Sequence, residues 1–527
     1  MGSNRREFLG KSLGGLTALG AGVVFASPVS AACRDPLPLH WDETVDVLVV
    51  GTGFAGLAAA CQAAELGAKV LVLEKMRTPG GNSIINGGIF GVPGTPMQKA
   101  MGIEDSPELL AADILREGGG LNNPAKVKLM AERALSTWEW TVDKLGVEYV
   151  QDRVSAEGGH SVPRCAVIKN GSGSGIVTKQ LEYAKKLGVD IRTQVYVDEV
   201  IRDEDGRVKG LKVFERYRFP KAPQGKAKYI AARRAVVLCH GGFGADVTYR
   251  TKYDPKLTAK FDTTNQPGAT SELWREASRI GCNLIQNSWI QCGPWNSPEE
   301  KGMGIALYFA QGAAATYGIW VNAKTGERFI NELANRKVRA DVVITAGNRG
   351  EQCLAIAPRW AIEKTLAKSR PGLLQKQLER GVVHEFASLS DLAKAYGIPM
   401  EKLNTTLKAY NDDLANKASA PTNAAGKPVD RWGRYFYLQA QPLTADTVWY
   451  ASILSPKVHH TMGGIETTLD GHAVDVKTDK PIPGLFAAGE STGGVHGAVR
   501  LGSCATLDCL VNGRIAGEAA AKETPWC

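Results

Sequence analysis

Three glycines and one acid carry the first chemical signal in this chain. Gly51, Gly53 and Gly56 stand at the spacing G-x-G-x-x-G, and Glu74 follows 18 residues after the last of them. Each position has a physical task. Gly51 allows a tight turn, Gly53 lets the backbone approach a pyrophosphate, and Gly56 lets a helix pack on a strand. Free N–H groups and the positive end of the helix dipole hold the phosphates, and an acid at the end of the next strand accepts hydrogen bonds from ribose hydroxyls. The triplet alone would also suit a glycine-rich turn in any α/β protein, so its setting decides. Val45-Asp46-Val47-Leu48-Val49-Val50 reads as a buried strand, an Ala-rich helix runs to about Leu66, and Lys69-Val70-Leu71-Val72-Leu73 reads as a second strand ending at Glu74. That is a βαβ unit.

The triplet serves NAD or FAD. Glu74-Lys75, followed by Gly80-Gly81-Asn82-Ser83 and Gly87-Gly88, favours FAD, because flavoproteins often carry a second glycine turn beside the flavin's linker. Gly484-Leu485-Phe486-Ala487-Ala488-Gly489-Glu490 repeats the pattern of short strand, glycine turn and acid near the end. No second G-x-G-x-x-G follows a strand, so a separate NAD(P)H domain is not expected and electrons should arrive from another protein. The ten cysteines include no C-x-x-C pair, so no haem attachment, zinc ribbon or other metal site is expected. Most of them, such as Cys239 and Cys282, sit in apolar or glycine-rich contexts and read as small buried hydrophobes.

Helices are predicted near 106–117 and 124–145. Each opens on a polar cap followed by proline, Ser106-Pro107 and Asn123-Pro124. Residues 189–239 read as strands joined by hairpin turns, with the basic segment 216–234 as a solvated hairpin. Residues 290–455 change character, with more aromatics and helices near 359–368 and 401–417. Residues 483–520 return to strand, glycine turn and helix. The expected fold class is α/β. A Rossmann-like FAD-binding domain is built from both ends of the chain (40–288 and 458–527), with an α+β capping domain inserted at 289–457.

With 527 residues, 44% hydrophobic and 22% charged, the chain is neither disordered nor fibrous. Its net charge is +9, a mild excess that suits an anionic substrate as well as plain solubility and gives no sign of nucleic-acid binding. Residues 1–32 read as an address. Asn4-Arg5-Arg6-Glu7-Phe8-Leu9 precedes a short Gly- and Ala-rich apolar run and a small-residue exit at Ser30-Ala31-Ala32, which resembles a twin-arginine export signal. The run is too short to span a bilayer and no later segment reaches about 20 apolar residues, so a periplasmic protein without stable membrane insertion is expected.

Four further segments carry a family resemblance: Thr264-Asn265-Gln266-Pro267-Gly268-Ala269, Arg328-Phe329-Ile330-Asn331-Glu332, His459-His460-Thr461-Met462-Gly463-Gly464, and Gly493-Gly494-Val495-His496-Gly497-Ala498-x-Arg500-Leu501-Gly502. Together they resemble the flavoprotein of soluble fumarate reductases and flavocytochromes c, from about Asp46 to the end. The resemblance implies that His459 and Arg500 bind one carboxylate of an unsaturated acid, that Arg336 donates a proton, and that flavin N5 gives hydride to the β-carbon. It implies FAD contacts at Gly51, Gly53, Ala55, Gly56, Glu74, Lys75, Gly81, Asn82, Ser83, Gly87, Gly88, Gly242, Glu272, His460, Glu490, Arg500, Ser503, Ala505 and Thr506. Ser83 lies where covalent relatives have histidine nearby, so non-covalent FAD is expected. The chemistry is coherent without the name, because hydride addition to an enoate builds charge on the carboxylate, which an arginine and a histidine suit. Arg336 lies beside Lys337 and Arg339, so a solvated basic face is the plain alternative for it.

The chain departs from the family at one end of the site. Family members grip a second carboxylate with a histidine before a proline, and with a threonine-glutamate pair further on. Here the first position is Gly293 in Gln291-Cys292-Gly293-Pro294, and the second region reads Leu307-Tyr308-Phe309-Ala310-Gln311. In an ungapped placement the relay acid and arginine become Gln311 and Ala314. The expected substrate pocket is therefore Gly293, Trp295, Tyr308, Phe309 and Tyr317 around His459, with one charged end. A second carboxylate there would be costly to bury. The reading is a periplasmic FAD-dependent reductase of an α,β-unsaturated monocarboxylate, of acrylate, methacrylate or aryl-acrylate type. A separate multihaem c-type cytochrome would feed it in anaerobic respiration, since the family's haem domain is missing. Fumarate or urocanate reduction, a ketone or 3-oxosteroid dehydrogenase, and a non-catalytic electron-transfer flavoprotein are the rivals.

Overall fold

Strand β1 (Glu43–Val50) shows why the sheet is buried on both faces. In the computed structural model, which describes residues 35–155, 157–423, 426–436 and 439–527, Val47 and Val49 enter one hydrophobic core while Val45, Leu48 and Val50 enter another. A continuous apolar run is what a central parallel strand needs, because successive side chains point to opposite faces and both faces are covered. The expected export signal at 1–32 lies outside the described residues.

From β1 the chain enters helix α1 (Phe54–Glu65) and returns in β2 (Val70–Leu73), parallel to β1. Strands β3 (Asp190–Arg192), β4 (Lys228–Leu238) and, much later, β6 (Pro481–Ala487) complete a parallel set in the order β3-β2-β1-β4-β6. The late strand joins because the C-terminal helix α3 (Cys504–Lys522) packs flush on α1. A Cβ at Gly513 or Gly517 would lie 2.5 and 2.2 Å from the carbonyl oxygens of Ala55 and Ala59, so only glycine permits this approach.

A second, antiparallel sheet comes wholly from 319–453, in the order Ile319–Asn322, Cys353–Pro358, Trp449–Ile453, His384–Phe386. It has cores of its own, around Trp320 and Trp449. Beside it run helix α2 (Arg336–Asn348) and strand β5 (Lys457–Thr461), which pairs with Ile290–Gly293.

Several expectations shift in detail. The helix expected over 124–145 breaks at Arg133 into Pro124–Glu132 and Ala134–Asp143, and that near 359–368 breaks at Thr365. The pieces expected at Tyr229 and 236–239 are one strand, β4, paired antiparallel with Val208–Phe214 at its start. Seven of the nine described cysteines are buried, and none of the nine is in a disulfide.

Candidate active site

Two cavities lie on either side of the turn that begins at Gly81. The first is built mostly by backbone at the carboxyl ends of β1, β2 and β4. Of the residues expected to touch FAD, Gly51, Gly53, Ala55, Glu74, Lys75, Gly81, Asn82, Ser83, Gly242, Glu272 and Glu490 line it. Gly51 sits at φ +102°, and a Cβ there would lie 2.4 Å from the Cys239 carbonyl oxygen, so the β1–α1 turn requires glycine. Helix α1 opens at Gly53 with no side-chain cap and no acid in its first turn. Phe54 N–H donates to Ser83 Oγ at 3.0 Å, while the N–H groups of Ala55 and Gly56 have no partner among the described residues. Those free donors at the positive end of a 12-residue helix are suited to a pyrophosphate.

Glu74 is pinned at the end of β2. Its carboxylate accepts from Thr52 Oγ1 at 2.6 Å, Thr52 N–H at 3.2 Å and Met76 N–H at 2.9 Å. Lys75 donates to Thr270 Oγ1 at 2.5 Å and pairs with Glu272 at 3.3 Å. His240, also in this wall, is held neutral by burial, its pKa pushed down to about 3.

Three expected contacts sit elsewhere, for steric reasons. Gly56 packs behind the turn, since a Cβ there would lie 2.0 Å from Gly51 O. Gly88 lies against the Ser172 backbone, with its carbonyl bonded to Ile168 N–H. His460 lines neither cavity. Alternation along β5 sends it to the far face, where its Nδ1 is 3.4 Å from Glu490 and its ring packs against His496.

The second cavity, of about 410 Å³, is walled by side chains from distant segments. His459, Arg336, Arg500, Gly87, Ser503, Ala505 and Thr506 all line it, as do Trp295, Tyr308 and Tyr317. Gly293 and Phe309 do not, contrary to expectation. Gly293 is tied into the sheet opposite Lys457, and Phe309 is fully buried in the second sheet's core.

His459 Nδ1 lies 2.7 Å from Thr264 Oγ1, and its ring meets Trp295 edge to face at 5.8 Å. Burial first, and the Arg336 charge second, push its pKa well below 6.5, so it enters the cavity as neutral imidazole. In the tautomer whose Nδ1 accepts from the Thr264 hydroxyl, Nε2 carries the hydrogen that an anion would accept. Arg500 is 4% exposed; among the described residues it donates only to Leu501 O, at 3.1 Å, and its buried Nε has no partner. Trp295 Nε1 is likewise buried and unbonded. Such orphan donors are rare in folded chains and suit an absent acceptor.

Arg336 and Arg339 do not form the solvated basic face that was the plain alternative. Spaced i, i+3 on α2, they turn inward with guanidinium carbons 4.6 and 5.6 Å from the Trp295 ring centre, while Lys337 turns out to Asp341. Asn335 caps α2 by accepting from Val338 N–H. The buried cluster of Glu332 and Asp430 with Arg328 and Arg434 anchors the turn before it.

The far wall also corrects an expectation. Residues 293 and 307–311 supply no cation, but Arg153, Lys364 and Arg370 enter from other segments. Arg370 stacks over Tyr308 at 3.9 Å and donates to Gly171 O, and Lys364 donates to Gln439 O at 2.6 Å. The cavity as a whole thus holds five arginines and lysines (Arg153, Arg336, Lys364, Arg370 and Arg500), with Glu157 as the only carboxylate among the described residues that line it. Glu157, Arg339, Thr264 and Thr52 were missed in sequence. Thr52, inside the glycine triplet, and Thr264, at the head of one family segment, had a positional signal.

The donor set fits FAD. One free helix start and a pinned acid frame the first cavity. A second helix start frames the second cavity: α3 opens at Ser503, at φ +64°, with no side-chain cap and no acid in its first turn. Its N–H groups suit the electron-rich edge of a reduced flavin. Among the described residues no cluster of three or more His, Cys, Asp and Glu could hold a metal, and no helix is long and apolar enough to cross a membrane.

Comparison with known proteins agrees with this geometry. The FAD binding domain family matches residues 46–506. The acrylate reductase flavoprotein subunit of Shewanella woodyi is 38% identical over 518 residues, covering 97% of each chain. The urocanate reductase of Eggerthella lenta is 34% identical, over 90% of this chain and 74% of its own. Among solved structures, the open conformation of a flavocytochrome c3 fumarate reductase superposes with a TM-score of 0.69 at 30% identity, over 92% of this chain and 79% of that one. The chain therefore belongs to the FAD-binding family of enoate reductase flavoproteins, and is an FAD-dependent oxidoreductase.

Proposed function

We propose that this protein saturates the C=C bond of a small α,β-unsaturated monocarboxylate of acrylate, methacrylate or aryl-acrylate type. One observation carries the reading: the buried Arg500 guanidinium, with no carboxylate partner among the described residues, shares a cavity wall with neutral His459 and with Arg336. The similarity to an acrylate reductase flavoprotein subunit supports it.

Reduced FAD, when bound without a covalent link, supplies the hydride. The residues of the chain do the rest. Arg500 and His459 hold the carboxylate and meet the negative charge that grows on it as hydride adds, a charge-assisted contact of about 1.5–3 kcal/mol each. Arg336, buried on one side by Trp295, is placed to give the proton, and burial lowers its pKa from the usual arginine value. The far wall mixes Tyr308 and Tyr317 with Arg370 and Lys364. These two cations each donate to a protein carbonyl, which with the tyrosine rings suits an apolar or aromatic end, and Arg153 is the third cation of this wall.

Residues 289–457 act in this reading as a cap over the flavin. The N-terminal arginine pair supports export to the periplasm, and the description of the Shewanella woodyi relative as a flavoprotein subunit supports a separate c-type cytochrome as donor. The test is anaerobic oxidation of reduced viologen by the FAD-loaded protein with acrylate, methacrylate, cinnamate, urocanate and fumarate. At least one monocarboxylate should exceed fumarate by tenfold or more in kcat/KM. Fastest turnover with fumarate would make Arg153, Lys364 or Arg370 a second carboxylate anchor and overturn the reading.

A further inference from the structure

A guanidinium that gives up a proton must be recharged at once, because arginine does not persist as a neutral base in water. The two positions expected to recharge Arg336 cannot do so. Position 314 is alanine. Gln311, in a π-helical turn at Ala310–Ala314, is an amide that accepts from Arg339 Nη1 at 2.7 Å. Glu332, one turn before Arg336, is occupied by Arg328 and Arg434.

One carboxylate remains. Glu157 Oε2 lies 3.4 Å from Arg336 Nη2, and no other carboxylate among the described residues pairs with Arg336. Glu157 also lines the substrate cavity, and its side chain is 15% exposed, so water reaches it. Charge compensation alone does not explain its place. Arg339, one helical turn deeper and 1% exposed, has no carboxylate partner among the described residues. Burial, with Arg336 beside it, pushes its pKa down to about 9. The fold therefore buries Arg339 without a paired carboxylate, Glu157 and Glu332 acting on it only at longer range, and among the described residues that line the cavity it pairs the one acid with the arginine that faces the substrate.

We propose that Glu157 is the relay residue that recharges Arg336. The inference rests on the reductase reading above. As the β-carbon gains hydride, Arg336 gives a proton to the α-carbon, the Glu157 carboxyl returns one to Arg336, and water in the cavity returns one to Glu157. The sum is two electrons and two protons per C=C bond saturated. The titratable and charged groups that face Glu157 are Arg336, Arg339, Arg153 and Cys165.

The test compares FAD-loaded wild type with Glu157→Gln and Glu157→Asp, using reduced viologen and the best enoate. Binding of the matching saturated acid is followed separately by the change in flavin absorbance. E157Q should lower kcat at least 50-fold, with KM and the saturated-acid Kd within threefold, and should remove the wild-type rise of kcat toward low pH. E157D should recover at least a tenth of wild-type kcat. An E157Q enzyme whose kcat stays within threefold, or whose loss lies wholly in KM, overturns the relay alone. A wild type inactive on every enoate overturns the reductase reading, and the relay with it.

Discussion

The two cavities are built from different materials. The dinucleotide half is built around backbone: a left-handed glycine, an uncapped helix start and a carboxylate pinned by N–H groups, within residues 50–83 and 239–242, closed by side chains from 195–197, 266–273 and 488–490. The substrate half is side chains that meet from residues 153–157, 295–317, 336, 364–370, 459 and 500–506. Backbone donors are fixed once the βαβ unit folds, so the first half is insensitive to which side chains neighbour it. In the second half each guanidinium needs its own support. Arg336 has Trp295 and the α2 cap, Arg500 has the glycine-rich run before α3, and His459 has Thr264. A family can therefore keep its cofactor and change its acid by altering a few side chains.

Substitutions in the first half should cost FAD and activity together, and those in the second activity alone. Gly51→Ala should have the largest effect. Its Cβ meets a backbone carbonyl at a positive φ, so purified protein should carry less than a tenth of the wild-type flavin by absorbance. Arg500→Ala should keep FAD yet lose about 10³-fold in enoate kcat/KM, roughly 4 kcal/mol of transition-state stabilisation. An Arg500→Ala protein that came out flavin-free would erase the division between the halves. Glu74→Gln should weaken FAD about tenfold, measured by titration of apoprotein, with kcat at saturating FAD unchanged. Arg370→Ala should alter the ratio of aryl-acrylate to acrylate turnover by a few-fold and leave FAD content alone.

A separate expected effect, on stability rather than on either cavity, is pH dependence. Burial lowers the pKa of His459, as it does for His160 and His240, to about 3 in the latter two. An unfolded chain takes up protons at these residues near pH 6.5 and the folded chain does not. The stability they confer is thus full above about pH 6.5 and is lost as pH falls below it, by about 1.4 kcal/mol per residue per pH unit. The Tm of the apoprotein should drop on acidification, and His459→Gln should make that slope shallower.

Legibility followed the same division. Gly51, Gly53 and Glu74 could be read because their spacing is short and each role follows from backbone geometry. Among the substrate residues, Trp295, Tyr308 and Tyr317 were found by the loss of charged groups around them, while neighbouring Gly293 and Phe309 were misplaced. Whether a residue in an irregular stretch faces the cavity or the core depends on a rotation that no local period encodes. His459 and His460 could not be separated by type, and the pairing of β5 with Ile290–Gly293 separates them. Glu157 sits in a loop between strands and carries no pattern at all.

Sequence alone determined the βαβ unit, the flavin site and the mixed architecture, because short-range periodicity and glycine geometry act within a few tens of residues. Only the tertiary structure decided which arginines are buried, that cations from 153, 364 and 370 reach the far wall, and that one carboxylate stands on Arg336. Those facts depend on desolvation and on contacts between distant segments, such as Arg336 with Glu157 and Arg370 with Gly171, 179 and 199 residues apart, which are set when the sheets and helices pack.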